Sequence, residues 1–291
     1  MSVYMLRRRK LGRTSCREIA RLSDKIDGVV RNDQQFPADL SMIIRWGTTS
    51  NVPTNNIVNT AEAIHRVGDK AGFRNLLMDN FFEVQGGLGS PLCPMTYLEM
   101  HKPQLLLWMR DGKQMVVRPR VHAQGRHVYL VNNEAELNAA IARCGEGWYA
   151  SEYINKVAEY RVTFVQGRVA WVAKKTPGNP QDVAWNVARG GRFDNVRFDN
   201  WPLKAIKISR EAFMLSGLDF GAVDVMVDAD DQAYVLEINS APSQTSPYRQ
   251  ECMAKCFDYL IENGKETIPV IQQRGNWKKF IHPALSNEAL M

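Results

Sequence analysis

Asp224-Val-Met-Val-Asp-Ala-Asp-Asp-Gln-Ala-Tyr-Val-Leu-Glu237-Ile-Asn239-Ser-Ala-Pro-Ser243 reads as two apolar strands joined by a polar turn, with acids inside the strands. If Val227 pairs with Tyr234 around the turn, Asp224 falls opposite Glu237, and Asn239 lies two residues on, facing the same way. Like charges directly across a strand pair repel, so the arrangement asks for a cation. Two carboxylates and an amide oxygen form a hard, all-oxygen donor set, which suits Mg²⁺ shared with phosphates better than zinc or copper. A solvent-facing hairpin whose polar face carries acids is the alternative, and a one-residue slip in register would undo the pairing.

The chain has 291 residues, 45% of them hydrophobic and 23% charged, proportions that let it bury a core in one large or two modest domains. No stretch has the length and apolarity of a membrane span, and no apolar run follows the basic N-terminus, so a cytoplasmic location is expected. Cys16, Cys93, Cys144, Cys252 and Cys256 lack the spacing of a zinc site or a redox dithiol and are expected as free thiols. The net charge of +6 fits either nucleic acid or a site for polyphosphate. Its densest run, Arg7 to Lys10, reads as a solvated arm.

Working outward, the pattern is mixed α and β. Strands are expected at 42–46, 114–119, 127–131 and 148–154, and helices at 57–67, 69–80, 134–143, 204–215 and 247–262. Residues 160–174 form a hairpin turning at Gln166-Gly167. A two-residue turn there puts Tyr160, Val162, Phe164, Val169, Trp171 and Ala173 on a core face. Glu159, Arg161, Thr163, Arg168 and Lys174 then take the polar face, with Lys175 on the apolar one. On this register Lys174 is the functional lysine, paired across the strands with Glu159.

Together these segments resemble the ATP-grasp superfamily, in particular its carboxylate-amine ligases such as D-alanine ligases and the ligases that add glutamate to protein termini. The resemblance covers about residues 40 to 262 and is strongest in Asp-x12-Glu-x-Asn followed by Ser-Ala-Pro-Ser. It implies that Asp224, Glu237 and Asn239 hold Mg²⁺ between ATP phosphates. Ser-Glu152-Tyr153-Ile154 through Glu159 is similar to the hinge strand of that family. There the Tyr153 and Ile154 backbone meets the adenine edge, Glu152 lies against its amino group, and Glu159 holds the ribose hydroxyls. Val-Val-Arg118-Pro119 and the loop from Val121 to Arg126 are similar to the phosphate-covering strand and lid, although Arg118 stands where lysine is usual and the loop is poor in glycine. Asp69-Lys70 resembles a helix start whose lysine reaches the phosphates. Asn186, Arg189, Gly190 and Gly191 resemble a stretch near the acceptor, where Arg189 would supply positive charge. Ala222 stands where D-alanine ligases place an arginine.

The fold so implied is α/β (α+β), two lobes clasping ATP. It divides into a shortened, basic N-terminal region at 1–68, a first lobe with the phosphate-covering loop at 69–150, a second lobe with hinge and Mg site at 151–265, and a tail at 266–291. The implied activity is ATP- and Mg-dependent amide or peptide bond formation through an acyl phosphate, with Arg118, Lys174 and Arg189 acting on the reacting groups and small-molecule or peptide carboxylates and amines as substrates. Two rivals stay open: an ATP-grasp-like kinase, and a non-catalytic nucleotide- or nucleic-acid-associated protein. Nucleic acid is disfavoured as a partner, no membrane is expected, and self-association is left open.

Overall fold

The computed structural model describes residues 2–10, 12–82, 90–120, 127–185 and 190–265. Three sheets organise them. The first is parallel, in the order β2-β1-β3-β4, from β1 (Ser2–Arg7), β2 (Gly28–Arg31), β3 (Leu40–Trp46) and β4 (Ile57–Val58), with helix α1 (Arg13–Leu22) crossing from β1 to β2. The expected solvated arm is therefore corrected. Arg7 ends a central strand and is 8% exposed, and only Arg8, Arg9 and Lys10 project to solvent. A dense basic run hides the strand because its apolar half, Val3, Met5 and Leu6, is only three residues long.

Helices α2 (Ala61–Gly68) and α3 (Lys70–Met78) follow. Their starts are fixed by side-chain caps: Thr60 accepts from the Ala63 N–H at 3.1 Å and Asp69 from the Gly72 N–H at 3.2 Å. Ile57 and Val58 thus belong to a strand rather than to the helix that periodicity extends over them. A short pair, β5 (Phe81–Phe82) and β6 (Ser90–Pro91), leads to the second sheet. That sheet is antiparallel, in the order β7-β10-β8-β9, from β7 (Thr96–Leu98), β8 (Met115–Arg118), β9 (Tyr129–Val131) and β10 (Tyr149–Glu152). Helices α4 (Lys102–Arg110) and α5 (Glu134–Cys144) close its core around Leu105, Met115, Val117, Leu137 and Trp148.

The third sheet, antiparallel, has the order β13-β12-β11-β14-β15, from β11 (Lys156–Val165), β12 (Arg168–Thr176), β13 (Arg192–Asn195), β14 (Phe220–Asp228) and β15 (Ala233–Asn239). One face packs against α2, α3 and α6 (Leu203–Ser216), where Phe164 stacks on Phe213 with ring centroids 4.9 Å apart. On the other face lie α7 (Pro247–Asn263) and the first sheet, sharing a core of Met5, Ile44, Trp46, Trp171, Phe220, Cys252 and Phe257. Apolar burial on both faces keeps the strands nearly continuous in hydrophobicity, so each polar residue inside them stands out.

Two bulges set the registers. Between β14 and β15, Val227 pairs with Ala233, one residue short of the expected Tyr234, and Leu236 is then skipped, so that Asp224 still faces Glu237. Between β11 and β12, Phe164 pairs with Val169 but Thr163 with Trp171, so Ala170 is the extra residue. Beyond that bulge the faces of β12 exchange, and Trp171 points to the α7 side while Val172 joins the α6 side.

A candidate nucleotide-binding cleft

The side chains that do not fit an apolar core gather where the second and third sheets meet. Lys70 and Arg74 come from α3, Arg118 from β8, Tyr149 from β10, Lys156 and Glu159 from β11, Lys175 from β12, and Asp224 and Glu237 from β14 and β15. The sheet geometry explains the convergence: Glu159, Arg161, Asp224, Glu237 and Asn239 sit on three adjacent strands, and residues on neighbouring strands that share a face lie within a few ångströms.

Asp224 is 3% exposed and Glu159 2%. Buried carboxylates this close need compensation, and each has it. The Arg161 guanidinium holds Asp224 in a bidentate grip, Nε to Oδ1 at 2.6 Å and Nη2 to Oδ2 at 2.7 Å. Lys175 donates to Glu159 and lies 3.8 Å from Asp224. Lys156 donates to the other Glu159 oxygen at 2.6 Å and lies 4.7 Å from the centre of the Trp185 ring. Lys70 donates to Glu237, and the Asn239 amide nitrogen is 3.2 Å from Glu237 and 3.5 Å from Asp224.

Titration follows from these pairings. Burial would raise the Glu237 pKa, but Lys70, Arg161 and Lys175 outweigh it and hold the group down at about 2. Burial works against the Lys175 charge too, and Asp224 with Glu159 more than restores it, raising the pKa. Lys156 goes the other way: burial lowers its pKa, Glu159 opposes, and the nearby Lys175 and Arg118 charges add to the lowering. Arg118 is lowered chiefly by burial. It donates to Ser151 Oγ at 2.9 Å and lies 5.9 Å from the Tyr149 ring centre, with Arg74 6.0 Å from that same ring. Two guanidiniums around one ring, with three lysines nearby, make a strongly anion-attracting wall.

The structure therefore brings together Lys70, Arg118, Glu159, Asp224, Glu237 and Asn239, and it corrects Lys174. The Ala170 bulge turns Lys174 outward to solvent opposite Tyr160 and places Lys175, 6% exposed, against Glu159 and Asp224. Glu152, which is not among the residues that line the cleft, lies 3.5 Å from Lys113, and its own N–H donates to the Met95 carbonyl at 2.8 Å. Tyr153 and Ile154 continue from it as the link into β11, the Tyr153 N–H donating to the Gln114 carbonyl at 2.9 Å. Arg189, Asn186 and the Val121 to Arg126 loop lie outside the described residues, as does the tail at 266–291.

Sequence reasoning missed Arg74, Lys156 and Lys175 as site residues. Lys156 carried a readable signal, a lysine three residues before Glu159 at the start of a strand. Arg74, inside a helix, carried none. A second pocket of about 530 Å³ opens beyond the acids, lined by Arg161, Phe193, Ser243, Thr245 and Arg249. The buried Arg249 donates to Asn195 at 2.7 Å, and burial followed by repulsion from Arg161 lowers its pKa to about 10.

Two carboxylates and an amide facing a wall of cations, between two α+β units, fit the ATP-grasp class. Residues 103–253 match the RimK-like ATP-grasp domain, just over half of the chain, and the protein belongs to that family. Among solved structures, D-alanine–D-alanine ligase from Bacillus anthracis superposes with a TM-score of 0.66 at 14% identity, over 91% of this chain and 97% of that one. D-cycloserine synthetase DcsG gives 0.62 at 13% identity, over 89% and 99%. The ATP-grasp ligase PsnB, complexed with minimal precursor, Mg and ADP, gives 0.61 at 14%, over 91% and 97%. At these identities the likeness is one of fold, and it extends over the whole α/β architecture. No curated protein matches the chain in sequence. No helix among the described residues is long and apolar enough to cross a membrane.

Proposed function

We propose that this protein joins a carboxylate to an amine at the expense of ATP, through an acyl phosphate. The observation that carries this is the meeting of Asp224, Glu237 and Asn239 with Lys70, Arg74, Arg118, Arg161 and Lys175 in one cleft. A carboxylate resists attack because its charge repels nucleophiles and oxide leaves poorly. Transfer of the ATP terminal phosphoryl to it, with release of ADP, converts oxide into phosphate, and the amine then displaces phosphate to leave an amide. Such chemistry asks the protein for positioning and charge neutralisation rather than for a nucleophile.

Asp224, Glu237 and Asn239 fit magnesium by donor type, since the two acids carry the charge a hard divalent ion requires and Asn239, whose amide nitrogen here faces the acids, would present its oxygen to the ion. Bound there, it would neutralise phosphate oxygens. Lys70, which here donates to Glu237, would be freed by the ion to meet a phosphate, and Arg74 and Arg118 face the same space. Lys175 replaces Lys174 in the role first assigned by periodicity. Glu152, Tyr153 and Ile154, which link β10 to β11, would meet the adenine, and Glu159, which lines the cleft, would hold the ribose. Arg189 keeps its expected role beside the acceptor, and the pocket beyond the acids, with Arg249 and Ser243, is where the acceptor is expected.

The test is Glu237→Gln, which keeps size and removes charge. We expect a folded protein whose ADP release, assayed against pools of amino acids and peptides, falls by roughly a hundredfold or more. Turnover equal to wild type would overturn the site assignment. Mass analysis of the product separates the ligase from its rival: an amide supports the proposal, and a stable phosphorylated acceptor without one reassigns the protein as a kinase.

A further inference from the structure

A second charged surface lies away from the cleft. Between α1 and the edge strand β2 runs an open groove of about 1120 Å³ whose walls carry Arg7, Arg9, Arg13, Arg17, Arg21 and Arg31. We propose that this groove docks an acidic peptide segment in extended form, lying along β2 with its acidic side chains turned to the α1 arginines.

The first ground is uncompensated charge. Local acids are already engaged: Glu18 with Arg21 at 3.0 Å, Asp33 with Arg31 at 3.0 Å and Arg9 at 3.8 Å, and Asp27 as acceptor for the Val3 N–H at 2.7 Å. Lys10, Arg13 and Arg17 have no ion-pair partner among the described residues. Beneath them Arg7 is 8% exposed with its Nε unpartnered, and its Nη1 donates to the Arg8 and Arg9 carbonyls at 2.9 and 3.0 Å, fixing the turn that presents Arg9 and Lys10.

The second ground is spacing. Arg13, Arg17 and Arg21 recur every four residues on an α-helix, a rise of about 6 Å per step. Side chains on one face of an extended strand repeat at about 6.7 Å, so alternate residues of a strand meet successive arginines. The third ground is the edge. β2 is the outermost strand of its sheet, and one of its sides has no strand neighbour among the described residues; Arg31 there already bonds Gln34 through both main-chain groups, its N–H donating to the side-chain oxygen and its carbonyl accepting from the N–H, both at 3.0 Å, so an added strand would pair with the residues before it. Single-stranded nucleic acid, the other polyanion, is expected to stack its bases on aromatic rings, and among the described residues no aromatic lines the groove.

This docking does not depend on the ligase reading and is tested without ATP. Fluorescence anisotropy with the full chain and a fluorescein-labelled peptide of ten glutamates should show binding that weakens as salt rises. The triple variant Arg13→Glu, Arg17→Glu, Arg21→Glu should lose roughly tenfold or more in affinity while the melting temperature and any ADP release stay unchanged. A triple Arg→Gln variant stands in if charge reversal unfolds the chain. A decaglutamate methylated on every backbone nitrogen, which keeps the charges but lacks N–H groups for the sheet edge, should bind several-fold more weakly than decaglutamate. Wild-type affinity in the folded triple variant overturns the proposal. So does equal binding of the N-methylated peptide, or tighter binding of a twenty-residue oligothymidylate than of decaglutamate.

Discussion

Lys174 and Lys175 are chemically identical neighbours whose fates differ by one bulge. Lys174→Ala should leave stability within about 0.5 kcal/mol of wild type and turnover intact, as for exposed residues generally. Lys175→Ala strips a cation from two buried acids and should cost about 3 kcal/mol, with turnover lost. Chemical denaturation of the two variants side by side measures both. Alternation set Lys174, rather than Lys175, beside Glu159 because it counts residues, and a bulge adds one without a composition signal: Ala170 looks like any strand residue. The same blindness was harmless at Asp224 and Glu237. A turn one residue tighter than expected and the skipped Leu236 cancel, so the facing acids were legible although the register at the turn was not.

Among the elements, the link between β4 and β14 is a tighter joint than its two-residue strand suggests. Asn59, fully buried with φ +63°, accepts from the Asp219 and Phe220 N–H groups at 2.8 and 3.1 Å and donates through its amide nitrogen to the Phe220 carbonyl at 2.9 Å. Its own N–H donates to Asp219 at 2.6 Å. Asn59→Ala should destabilise by about 2–3 kcal/mol, since it orphans buried backbone groups and removes a residue type that tolerates positive φ. Asn59→Asp, whose second carboxylate oxygen would face the Phe220 carbonyl and whose charge would be buried beside Asp219, should cost at least as much at neutral pH, and urea midpoints measure both. Most helices and strands were legible from periodicity, α5 and α7 to within a residue. The elements that escaped include β1, α1 and β2, whose apolar residues are few and interrupted by arginines, and also β7, α4 and β13.

For the molecule as a whole, the cleft couples stability to acidity. Glu237 has a folded pKa of about 2, below the unfolded value of about 4.3, so its contribution is complete above the unfolded pKa. That contribution fades as pH falls from about 4.3 through about 2. Urea unfolding across this window should show wild type losing stability more steeply than Glu237→Gln, whose side chain does not titrate; parallel curves would contradict the pairing with Lys70. The ATP-grasp architecture was readable because its acids, hinge and hairpins are local patterns. Arg74 was not, since its place in the cleft depends on α3 docking against distant strands. The core shared by the first sheet and α7 has a further consequence during synthesis. Met5 and Ile44 emerge from the ribosome some two hundred residues ahead of Cys252 and Phe257, which cover them. The nascent N-terminal half must therefore wait with an uncovered greasy flank, which makes it a natural client for chaperones and makes slow translation of the last third a direct route to aggregation.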